Sequence, residues 1–246
     1  MTLQDLLLAA FGIGLGGVLK GATGAGAPVV GVPVLVLLFN VPTAIALFTI
    51  PNLATNVWQG WRFWKHRIST KFTLLFAGSG ALGAGVGSLL LAFLPGDVLM
   101  GVVASVVLLY IAFRLARPDW RLADRPARRL AAPAGFVGGM LQGAGGLSAP
   151  VSVTFLNAMR LERAQFIATI AVFFVAMSVV QIPTLAGLGI LTPHLALMSL
   201  GAMVPLFAGM PVGAWLARHV SKEAFDRVIL ALLAIIALKL LYDAFA

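Results

Sequence analysis

Cysteine is absent from this chain of 246 residues, which removes disulfides, thiolate nucleophiles and soft-metal thiolate sites together. Charge is scarce as well. Asp, Glu, Lys and Arg make up 10% of the residues, where a soluble domain carries about a quarter. Acids are the rarer sign, eight against 17 Lys plus Arg. They are Asp5, Asp97, Asp119, Asp124, Glu162, Glu223, Asp226 and Asp243, all at segment ends or in loops. The apolar runs therefore hold no carboxylate that could relay protons or bind a hard cation. Three histidines without a cluster or an HExxH pattern complete the exclusion. No metal and no cofactor is expected.

Apolar sequence is abundant, with 61% of residues hydrophobic. Uncharged runs cover 21–61, 72–96, 98–113, 130–159, 164–193 and 195–217. Several exceed the roughly 20 residues needed to cross a bilayer. The chain reads as an all-α polytopic membrane protein. Its net charge of +9 sits in short stretches between the runs, with Arg114, Arg117, Arg121, Arg125, Arg128 and Arg129 in one connector. That is the positive-inside pattern and not a phosphate-tracking groove, so nucleic acid is excluded as a partner. The N-terminal MTLQDLLLAA lacks a basic leader region and is read as the start of the first membrane segment.

One stretch occurs twice. GGVLKGATGAGAPV at 16–29 returns, 122 positions later, as GGMLQGAGGLSAPV at 138–151. Weaker matches keep the order downstream: Gln59 meets Gln181 at the same offset, and Val86, Gly87 and Leu90 meet Val212, Gly213 and Leu216 after a shift of four. The expected organisation is a first transmembrane repeat at 1–115, an Arg-rich cytoplasmic connector at 116–130 and a second repeat at 131–246. In each, a Gly-broken hairpin, either re-entrant or crossing as two short tilted spans, ends in a short element (about 27–39 and 149–159). Three longer segments follow, at about 43–64, 71–93 and 97–115, then 163–190, 194–217 and 223–245.

The basic loops set the orientation. Arg62, Lys65, Arg67 and Lys71 put loop 65–71 inside, as Arg160 with Arg163 and Arg218 with Lys222 do for theirs. Loops 94–97 and 190–193 contain neither Lys nor Arg and belong outside. The equivalent loops 65–71 and 190–193 thus face opposite sides. This predicts inverted-topology repeats, with both termini outside.

The glycine elements suggest a chemistry. Broken helix is tolerated at membrane depth only where it is buried in protein or lines a cavity. Pro28 and Pro150 suit the first turn of a restarting helix, whose free N–H groups favour an anion. The candidate binding residues of the two breaks are Lys20, Gly21, Ala22, Thr23 and Gly24, then Gln142, Gly143, Ala144, Gly145, Gly146 and Ser148. Lys20 is the only charge between Asp5 and Arg62, and an intramembrane cation is a functional candidate unless it snorkels or faces water. Asn52, Asn56 and Gln59 share a helix face, and Gln181 repeats Gln59. These four line a pathway or bond neighbouring helices. Small residues also serve close helix packing, the competing explanation for the glycines. Trp58, Trp61 and Trp64 beside a basic loop fit an interfacial belt.

The paired GATGAGAPV and GAGGLSAPV in two repeated halves resemble the TauE/SafE family of sulfite exporter-like permeases, over nearly the whole chain. The resemblance implies the bacterial inner membrane and transport of sulfur-containing anions: sulfite, sulfoacetate and other organosulfonates. Lys20 faces Gln142 across the alignment, so the copies differ where a charge would discriminate ligands. The expected partners are a small anionic substrate and the lipid bilayer; oligomeric state has no signature here. The function expected is that of a secondary exporter working by alternating access on a midplane site, with an anion channel or an uptake permease as the alternatives. A serine hydrolase built on GLSA at 146–149 lacks a histidine base in an apolar segment. A scaffold would leave the two broken elements without a purpose.

Overall fold

The computed structural model describes residues 3–116 and 120–245. Arg117 and Asp119 lie outside the described residues, as do the side chains of Lys222, Glu223 and Asp226. Every regular element among the described residues is helical: α1 (Leu3–Thr23), α2 (Ala27–Leu38), α3 (Val41–Phe63), α4 (Thr70–Phe93), α5 (Gly96–Ala116), α6 (Asp124–Gly145), α7 (Ser152–Ala158), α8 (Arg163–Gly187), α9 (Pro193–Gly201), α10 (Met203–His219) and α11 (Lys222–Phe245), plus a 3-10 turn at Trp64–His66. Helix is what apolar sequence must adopt in lipid, where each backbone group needs an internal partner. Five stretches are long and apolar enough to cross a membrane, namely α1, α4, α5, α8 and the run α9–α10. The molecule is an all-α polytopic membrane protein.

Local chemistry sets the boundaries. Asn40 caps α3 by accepting from the Thr43 N–H at 2.9 Å, and Thr192 caps α9 through Leu195 at 3.2 Å. Glu162 and Gln165 form a capping box at the start of α8. Three boundaries differ from expectation. The segment expected as one helix at 194–217 divides at Ala202, because Pro205 has no N–H to offer the Gly201 carbonyl. The second short element shrinks from 149–159 to the seven residues of α7. α6 starts at Asp124, so Arg125, Arg128 and Arg129 lie on a helix and not in a loop.

Packing is set by glycine. α1 lies on α10 and α4 on α6, while α3 meets α8 and α5 meets α11. A Cβ on Gly21 would stand 2.0 Å from the Met210 carbonyl oxygen, and one on Gly213 would stand 1.9 Å from that of Val18. The other crossing repeats this: Gly143 would meet the Ala84 oxygen at 2.4 Å and Gly87 the Met140 oxygen at 2.1 Å. Small residues let backbones touch where no hydrophobic force separates lipid from helix. Between α4, α7 and α8, a stack of Phe72, Phe76, Phe155 and Phe173 fills the interior, Phe76 and Phe173 at 4.3 Å between ring centroids.

Candidate anion site

Two breaks interrupt the helices where the repeated motif lies. Gly24 and Gly26 take φ of 86° and 87°, and Gly146 takes 71°, a region open to glycine at little cost. Gly24 closes the end of α1 by donating to the Lys20 carbonyl at 2.7 Å. Gly146 does the same for α6 with the Gln142 carbonyl at 2.8 Å. The Thr23 hydroxyl pins the first break, lying 2.8 Å from the Leu19 carbonyl and 2.6 Å from that of Ala25, and it accepts from the Ala25 N–H at 3.3 Å. α2 then restarts on Gly26, which has no side chain to cap it, with Pro28 in the first turn as expected. In the second copy Pro150 precedes the helix instead, in a turn where the Ser148 carbonyl accepts from Val151 and Ser152.

A cavity of about 550 Å³ opens against the first break. Ala22, Thr23, Ala25 and Gly26 form one wall, and Ala149, Val153, Thr154 and Asn157 of the second break's return form another. Arg114 from the end of α5, Arg160 from the α7–α8 turn and Arg163 from the start of α8 also line it. Arg163 donates from Nη2 to the carbonyls of Ala22 at 3.3 Å and Gly21 at 3.5 Å, covering the negative end of α1. Arg160 holds φ at 52°, the only positive value at a non-glycine among the described residues. The cavity therefore combines guanidinium groups with the uncapped start of a 12-residue helix, and both favour an anion.

The residues singled out by sequence fall into separate groups. Ala22 and Thr23 line the cavity, with Gly24 between them and Gly26, packed against Ile167. Gly21 and Gly143 lie on the helix crossings, where packing explains them. Lys20 is buried away from the cavity and donates to Asn56 Oδ1 at 2.8 Å, with the Phe174 ring centroid 5.8 Å from Nζ. Asn56 in turn donates to the carbonyl and Oδ1 of Asn52 at 2.7 and 2.9 Å. Gln181 donates to the Gln142 carbonyl at 3.4 Å, while Gln142 Oε1 and Gln59 Oε1 are buried without a partner. Ala144 and Gly145 are buried behind the second break. Ser148 is bonded to Ser152 at 2.9 Å. Trp58, Trp61 and Trp64 are exposed, and the Arg67 guanidinium lies 4.0 Å from the Trp64 ring centroid.

In the sequence Arg114, Arg160 and Arg163 carry no signal beyond orienting charge, and Thr154 and Asn157 carry none at all. The model of the sulfite exporter TauE/SafE family matches residues 8–240. The chain belongs to the TauE/SafE family. No curated protein and no solved structure matches it. As a TauE/SafE protein it is a multi-pass membrane transporter, and in the cavity its basic loops meet a broken helix.

Proposed function

We propose that this protein exports a small sulfur-containing anion (sulfite, sulfoacetate or another organosulfonate) by alternating access. The carrying observation is the convergence of Arg114, Arg160 and Arg163 with the α2 N-terminus on one cavity. The positive-inside reading of the basic residues at 160–163 and 218–222 favours a cytoplasmic cavity mouth, through which the anion would enter from inside. Its arginines concentrate anions at the mouth, and the first break holds one through backbone N–H groups with little fixed charge. Export needs no coupling ion, because moving one negative charge outward is favoured by about 2.3 kcal/mol per 100 mV, interior negative.

Purified protein in liposomes loaded with sulfite or sulfoacetate tests the reading. Efflux should saturate, accelerate several-fold under an interior-negative potential and show trans-stimulation. Flux indifferent to the potential would overturn potential-driven export, and flux without saturation or trans-stimulation would favour the channel.

A further inference from the structure

The last turn of α1 has two sides. Leu19, Ala22 and Thr23 face the cavity, while Lys20 points into the protein and is 1% exposed. Its Nζ carries three donors, and Asn56 Oδ1 is its one hydrogen-bond partner among the described residues. That acceptor is neutral and is held in place, because Asn56 Nδ2 is engaged by both oxygens of Asn52. Among the described residues the groups recorded against its ammonium are Asn56 from α3 and Phe174 from α8, and neither is a carboxylate. A lone cation at this depth is costly unless an anion joins it. At the equivalent position of the other repeat, the Gln142 side chain also has a buried oxygen without a partner.

We propose that Lys20 is a second anion station, closed in this structure, and that Asn56 keeps its ammonium oriented until the substrate arrives. The proposal rests on the transport reading above and extends it from one site to two in series. The anion gathers first at the arginine-lined cavity. Movement of the last turn of α1 then exposes Lys20, and the substrate oxygens replace the neutral amide as its partner. The transported ion is thereby the counter-ion that the fold omits. Adding a permanent carboxylate beside Lys20 should satisfy the ammonium and stop the cycle after the first binding step.

The experiment compares wild type with Asn56→Asp and Lys20→Gln, the residue of the second copy, using sulfite and sulfoacetate as probes. Calorimetric binding in detergent reads the open cavity, and efflux from liposomes at saturating anion reads the full cycle. Both variants should bind within about threefold of wild type and lose at least about tenfold in flux, the range of site-to-site coupling. Wild-type flux in either folded variant overturns the proposal. So does failure of both to fold, which would make the pair structural. A wild type that neither binds nor moves the probes would instead overturn the transport reading itself.

Discussion

Arg160 holds a backbone conformation that arginine adopts only at a cost, its φ of 52° lying in the left-handed region. The cost is about 1–2 kcal/mol for a residue with a Cβ. A glycine would serve the turn after α7 more cheaply, and the arginine that stands there lines the cavity. Arg160→Gly should relieve strain while loosening the unfolded chain, leaving stability within about 1 kcal/mol of wild type. Sulfite affinity should fall about five- to tenfold, the loss of one charge-assisted contact in a partly exposed site. Calorimetric titration and a thermal melt separate the two effects, and unchanged affinity would remove Arg160 from the site. None of this could be read from sequence. A basic pair in a loop is already accounted for by the positive-inside rule, and nothing in one dimension brings Arg114, 46 positions before Arg160, to the same cavity.

Among the elements, the breaks were legible and the crossings were not. Gly24, Gly26 and Gly146 stand out because a helix that admits positive φ ends there, and the duplicated motif marks both places. Gly21 and Gly143 lie in the same motif, yet each is pressed on a neighbouring backbone. A glycine required for φ and one required for contact look alike in a sequence; only the neighbouring helix distinguishes them. Substitution at a crossing glycine and at an open helical glycine should differ in sign. Gly213→Ala would drive a Cβ to 1.9 Å from the Val18 oxygen, and should cost about 1–3 kcal/mol as the helices separate. Gly78→Ala in α4 meets nothing within 4 Å and should gain about 0.5–1 kcal/mol in helix propensity. Thermal midpoints in one detergent decide it, and equal effects at the two positions would refute the crossing as a source of stability.

For the whole molecule, the pairings exchange partners between the two copies. The first helix of each copy lies on the fourth segment of the other, α1 on α10 and α6 on α4, and the equivalent helices α3 with α8 and α5 with α11 pair with each other. A two-fold axis relating the copies accounts for this exchange whether it lies in the membrane plane or along its normal, so the pairing shows swapped packing units and leaves the relative orientation of the copies to the loop charges. The length of each span was readable from uncharged runs, but the exchange was not, since loop charges orient a helix without naming its neighbour. Inversion makes a sharp prediction at loops that the repeat equates. The chain has no cysteine, so a single introduced thiol reports its own position without background. Pro95→Cys and Gly189→Cys should react with a membrane-impermeant maleimide added to intact cells. Ser69→Cys and Asn157→Cys should react only after the membrane is opened, and sulfite should protect the latter because Asn157 lines the cavity. Labelling of position 69 and position 189 from the same side would set the copies parallel and end both the inverted repeat and the cytoplasmic assignment of the cavity.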